Sequence, residues 1–165
     1  MIDPVHMTTV LSMDTTRSSD AEAAWEKVKA SAFDIPLYFL EAYPRFKKWQ
    51  GRRDLVFHCI RFARTSEQAF KLGCAAMNDK ATLVRYRAAC LLAYSLRKDA
   101  IPILRSAAQV HDEATRKDCE RAIRAIEKQD HHLFMAHRAD SWIVNSGDER
   151  RAEPGVFNKL KRLLQ

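Results

Sequence analysis

The chain has 165 residues, a formal net charge of +7 from 28 Lys and Arg against 21 Asp and Glu, and 47% hydrophobic residues. That is enough for one domain with a core and too little for two, and no uninterrupted apolar run nears the roughly 18 residues a membrane span requires. Only four Gly and five Pro occur and no segment alternates apolar with polar residues, which argues against a sheet and predicts an all-α protein.

In chain order, residues 1–18 are rich in Thr, Ser and Asp and read as a mobile N-terminal segment, without the basic-then-apolar layout of a secretory signal. Ser19-Asp20-Ala21-Glu22 has capping-box spacing, with the Ser19 hydroxyl accepting from the Glu22 N–H. It predicts a helix from Asp20 to about Ser31 that buries Ala24, Trp25 and Val28. Asp34-Ile35-Pro36 opens the next helix, over 35–43, because Pro in a first turn sacrifices no hydrogen bond. A loop bounded by Pro44 and Gly51 then leads to a helix over 54–64.

Two further pairs are expected, 66–78 with 81–96 and 100–110 with 114–129. The helix over 81–96 is apolar around most of its circumference, as a central element covered on two sides must be. The helix over 114–129 carries far more charge, which places it nearer an end. The repeat domain therefore covers 19–130, and 131–165 form a linker, notably 145–155, and an amphipathic capping helix carrying Val156, Leu160, Leu163 and Leu164.

One pattern occurs twice, as Val84-Arg85-Tyr86-Arg87-Ala88-Ala89-Cys90-Leu91-Leu92 and as Thr115-Arg116-Lys117-Asp118-Cys119-Glu120-Arg121-Ala122-Ile123, 31 residues apart. Small or apolar residues fall at i, i+4 and i+8 in each. The preceding loops, Asp79-Lys80-Ala81-Thr82 and Asp112-Glu113-Ala114-Thr115, match at 33 instead, and the core period of 31 is taken as the register. Periods of this length mark stacked helical repeats, in which one unit covers the apolar face of the next.

These residues resemble the short HEAT-like repeats of bacterial proteins and phycobilisome lyase subunits, well over about 79–126 and more weakly over 35–65. The resemblance implies a short right-handed α-solenoid of about three helical hairpins with N- and C-terminal capping helices. It also implies that the second helices line a concave surface for a partner. Carried over by the Val-Arg register, with Leu55 in the Val position of the first unit, that surface takes Arg61 from the first unit. Tyr86, Arg87 and Tyr94 come from the second, and Lys117 and Arg121 from the third. Tyr and Arg are the residue types enriched at binding hot spots. Arg85 and Arg116 are expected to be structural, each reaching an acceptor in the adjoining unit, with Asp79 and Asp112 the obvious ones.

Catalytic signals are absent from the sequence. The six His are followed by Met, Cys, Asp, His, Leu and Arg, so the repeated His-Glu pairs of di-iron HEAT-like oxygenases do not occur. His131, His132 and His137 read as a surface patch, since adjacent helical side chains diverge. Cys59, Cys74, Cys90 and Cys119 occupy small core positions without Cys-x-x-Cys spacing, and read as buried thiols in a reducing cytoplasm. No enzyme, metal or cofactor is expected.

The positive charge is concentrated, at net +4 over 33–65 and +4 over 66–98. A cytoplasmic adaptor or inhibitor that engages an acidic protein through the concave face is the primary expectation, with a bacterial toxin as one such target. Sequence-independent nucleic-acid binding is the alternative, carried by Lys47, Lys48, Trp49, Arg52 and Arg53, where cations interleave with an aromatic residue.

Overall fold

The structure, a computed structural model, describes residues 2–135; the expected linker and capping helix at 145–164 lie outside the described residues, as does His137. Helices with Asp or Ser at the N-cap recur from the first residues onward. Asp3 accepts from the Val5 N–H at 2.7 Å and Pro4 takes the first helical position, so that α1 spans Pro4–Leu11. The expectation of a mobile N-terminus is thereby corrected. Met7, Val10 and Met13, three apart among polar neighbours, are buried, and the Asp3 N–H donates to the Tyr38 hydroxyl at 2.8 Å.

Helix α2, Ser18–Lys29, buries Ala24, Trp25 and Val28 as expected, but Arg17 is its N-cap and makes no side-chain cap bond. Ser19 is thus already inside the helix, and the capping box does not form. Helix α3, Ile35–Ala42, starts where Asp34 accepts from the Leu37 N–H at 3.2 Å. Helix α4, Trp49–Cys59, begins five residues earlier than its sequence suggests, and α5 spans Glu67–Ala76, with the Ser66 hydroxyl accepting from the Ala69 N–H. Helices α6, Thr82–Ser95, α7, Ile101–Val110, and α8, Glu113–Glu127, match their expected positions closely. A short α9, His132–Met135, follows. No strand occurs among the described residues.

Consecutive helices α3 with α4, α5 with α6 and α7 with α8 pack together, while α4 also packs on α6, α6 on α8 and α3 on α5. Helix α6 is the middle of this arrangement, with eleven of its 14 residues buried, as its all-round apolar sequence requires.

Two arginines in the first turns of second helices tie the arrangement together. Arg85 donates to the Asp79 and Lys80 carbonyls, six and five residues back, and to the Asp112 carboxylate 27 residues ahead. Its Nε donates to Thr115 Oγ1 at 2.9 Å. Arg52 repeats the pattern, donating to the Phe46 and Lys47 carbonyls, six and five back, and to the Asp79 carboxylate 27 ahead, at 2.6 and 3.1 Å. The bridge expected of Arg85 and Asp112 is present. Asp79 instead receives Arg52 and the Tyr43 hydroxyl, the latter at 2.6 Å, and offers Arg85 only its carbonyl.

Two expectations are corrected by these contacts. The contacts obey the 33-residue spacing, so Arg52 is the counterpart of Arg85, and Gly51, not Leu55, stands in the position of Val84. Among the described residues Arg116 bridges no repeats: it is half-buried and pairs with Glu113 and Glu120 on its own helix, both at 2.6 Å. In the 33-residue register the counterpart of Arg85 in α8 is Asp118, so Arg116 does not stand in the bridging position.

Gly51 falls inside α4 because nothing larger fits: a Cβ there would lie 2.7 Å from Phe46 Cδ1 and 3.0 Å from the Asp14 Cα. Gly51→Ala is therefore expected to destabilise by about 1–3 kcal/mol through overpacking. A chemical denaturation midpoint equal to the wild type's would show that Phe46 yields freely.

Candidate binding surface

The face projected from the second helices is only in part a surface. Tyr86 and Tyr94 are 5% and 2% exposed and belong to the core, which corrects their assignment as partner-binding residues. The chain covers them itself. Phe134 of α9 packs against Tyr86 with ring centroids 5.8 Å apart, and the Tyr86 hydroxyl meets the Met135 sulfur at 3.7 Å. His131 lies 4.4 Å from the Tyr94 ring and accepts at Nδ1 from Arg64 Nη2 at 2.6 Å. His131 is therefore a buried residue and not part of a surface patch, whereas His132 is exposed.

The remaining residues of that face are scattered in role. Lys117 is exposed, 3.4 Å from Glu113. Arg121 is half-buried and paired with Asp118. Arg87 is half-buried over the Phe57 and Tyr86 rings, and Arg61 is exposed over the Trp25 ring.

Beneath Arg61, His58 stacks on Trp25 with centroids 3.8 Å apart and planes at 10°. Burial lowers the His58 pKa to about 3, helped by the charges of Arg61 and Lys29. Its Nδ1 is buried without a hydrogen-bond partner among the described residues, and the ring is held neutral. The thiols are equally quiet. Cys59, Cys90 and Cys119 are buried and Cys74 half-buried, with no disulfide among the described residues, and burial pushes Cys74 up to about 11 and Cys119 to about 12.

Among the described residues, one set of potential ligand atoms gathers, from Asp130, His131 and His132, within 4.8 Å of one another. The arrangement opposes a cation. A guanidinium occupies His131 Nδ1, leaving that ring's proton on Nε2, and Asp130 already accepts from the His132 N–H at 3.0 Å.

The more coherent surface lies at the start of α4. Trp49 is 37% exposed, and the Arg53 guanidinium lies over its ring at 5.6 Å from the centroid while pairing with Asp54 at 2.7 Å. Lys47 and Lys48 donate their backbone N–H groups to the Asp14 carboxylate at 2.9 and 2.8 Å, which fixes the turn and leaves both ammonium groups outside. Arg45 is exposed beside them. Four of the five residues expected to form this patch share one surface. Arg52 does not, being turned inward onto Asp79 with its side chain 16% exposed. Both it and Asp79 respond to the contact: burial raises the Asp79 pKa, but Arg52, the Ala81 N–H and Tyr43 together hold it below the usual carboxylate range.

No family model matches this chain, and neither the curated proteins nor the solved structures contain a match. No helix among the described residues is long and apolar enough to cross a membrane.

Proposed function

We propose that the protein is a short HEAT-like solenoid serving as a protein-binding module for an acidic partner. The binding surface is the Trp49 corner and not the inner face. The observation that carries this reading is the exposed Trp49 indole under the Arg53 guanidinium, flanked by Lys47 and Lys48. Trp and Arg supply most of the energy at interfaces, and a lysine rim steers an acidic surface toward them. The Arg52–Asp79 and Arg85–Asp112 bridges, 33 residues apart, support the repeat reading. Cysteines without a disulfide among the described residues fit the reducing cytoplasm. Neutralising an acidic bacterial toxin is a role within this chemistry.

Trp49→Ala and Arg53→Ala are each expected to weaken the partner by about 1–3 kcal/mol. Lys117→Ala should leave affinity unchanged. The measurement is calorimetry against the protein captured from source-cell lysate, and an equal effect of all three substitutions would remove Trp49 from the interface.

Nucleic-acid binding is a second reading, favoured by one observation: cations around an exposed indole also suit phosphates beside a stacked base. Such binding is expected to be weak and to fall linearly with the logarithm of salt concentration. Tight binding to a defined oligonucleotide at physiological salt, or loss of the captured partner on nuclease treatment, would make this the primary function.

A further inference from the structure

Four large hydrophobic residues are conspicuously exposed among the described residues, namely Val5, Trp49, Leu83 and Val110, at 72, 37, 50 and 69%. Three of them lie on one edge. Arg52, in the first turn of α4, holds Asp79, just before α6, and Arg85, in the first turn of α6, holds Asp112, just before α8. Helices α4, α6 and α8 must therefore begin side by side. Trp49 is the first residue of α4 and Leu83 the second of α6, and Val110 ends α7 two residues before Asp112. An apolar stripe thus runs across three helix ends. Carboxylates already stand at the three helix starts: Asp112 accepts the Thr115 N–H inside α8, and Asp14 and Asp79 accept from Lys47, Lys48 and Ala81 just before α4 and α6.

Charge along the edge is uneven. Arg45, Lys47, Lys48 and Lys80 are exposed around the Trp49 and Leu83 end, with Glu41 as an exposed carboxylate in the neighbouring turn of α3. At the Val110 end Asp112 is taken by Arg85, and Glu113 by Arg116 and Lys117. Packed helices lie about 8–10 Å apart, so the starts of α4 and α6, which carry Trp49 and Leu83, are separated by about that distance, with Val110 following at the end of α7 just before α8. One helix matches that spacing, since seven residues at 1.5 Å each rise about 10.5 Å.

We propose that this edge binds an acidic amphipathic helix laid across the starts of α4, α6 and α8. Apolar residues one heptad apart meet Trp49, Leu83 and Val110, and its carboxylates face Lys47, Lys48 and Lys80. The inference rests on the protein-binding reading and specifies the partner's chemistry.

The test uses the full chain and a labelled synthetic helix of about three heptads, with Leu once per heptad and Glu on the flanking positions, followed by fluorescence anisotropy. Leu83→Asp is expected to weaken binding at least about tenfold, and Lys47→Glu with Lys48→Glu by a similar factor, with unchanged circular dichroism. A matched peptide with Gln in place of Leu should not bind. The proposal is overturned if the Leu peptide fails to bind the wild type, if the Gln peptide binds equally, or if Leu83→Asp binds as the wild type does. Trp49→Ala losing the lysate partner while Leu83→Asp keeps it would confine the interface to the Trp49 corner and overturn the stripe alone. A captured partner indifferent to Trp49, Arg53 and Leu83 together would overturn the protein-binding reading itself.

Discussion

Arg85→Ala is expected to destabilise the fold by about 2–4 kcal/mol, the range for removing one side of a buried charged network. Arg85 is 4% exposed and its side chain makes five hydrogen bonds, to Asp79 and Lys80 carbonyls, Thr82, Thr115 and Asp112. Asp112 is half-exposed and regains water when the guanidinium leaves, which lowers the loss. The buried Thr115 hydroxyl and the loop carbonyls do not regain water as easily. Arg85→Lys should rescue little, because one ammonium cannot reproduce a planar fork aimed at two helices. Arg116→Ala, by contrast, removes only exposed contacts within one helix and should melt like the wild type. Urea unfolding of the three variants checks this ordering. Equal midpoints for Arg85→Ala and Arg116→Ala would mean that the Arg85 network carries no net stability.

Acidification from pH 7 to pH 5 is expected to remove about 2 kcal/mol of stability through His58 alone. The sign follows from the lowered pKa. The unfolded chain takes up a proton near the ordinary 6.5, while burial holds the folded ring neutral down to about 3, so the unfolded state binds more protons throughout that window. Stability therefore falls with pH below about 6.5. Asp79 and Asp112 also have lowered pKa values, with Asp112 at about 2 through the Thr115 N–H, but their contribution is lost only as pH falls below the ordinary carboxyl value of about 4. The interval from 7 to 5 thus leaves the carboxylates out, and a substitution separates His58 from the other imidazoles. His58→Phe keeps a ring on Trp25 and removes the titration, so its stability should be flatter across that interval. Parallel losses in wild type and variant would assign the acid sensitivity elsewhere.

The positions of α3 and α5 to α8 were legible in the sequence because their signals are local. Asp34-Ile35-Pro36 and Ala100-Ile101-Pro102 open helices by removing a donor that has no partner in a first turn, and Ser66 and Asp112 cap with a side-chain oxygen. The apolar circumference of α6 likewise announced a helix covered on both sides. Helix α4 was misread at its start since Gly51 ordinarily marks a loop, and only the Phe46 ring resting where a Cβ would be shows why a glycine belongs there. The basic corner was legible too, as a composition of Lys47, Lys48, Trp49 and Arg53, although not the inward turn of Arg52.

What local pattern did not decide was which residues remain on a surface. Tyr86 and Tyr94 stand on the helix face that the repeat spacing assigns them, yet the chain returns over that face through His131, Phe134 and Met135 and buries both. Arg85 and Arg116 share a local motif and differ in role, because an arginine bridges units only when a later loop brings a carboxylate to it. Asp112 does so for Arg85, whereas Glu113 and Glu120 take Arg116 from its own helix. Helix propensity and capping act between residues a few positions apart and are therefore written into the sequence. Burial and ion pairing depend on which distant segments meet, and for this protein the packing of α4, α6, α8 and α9 made that choice.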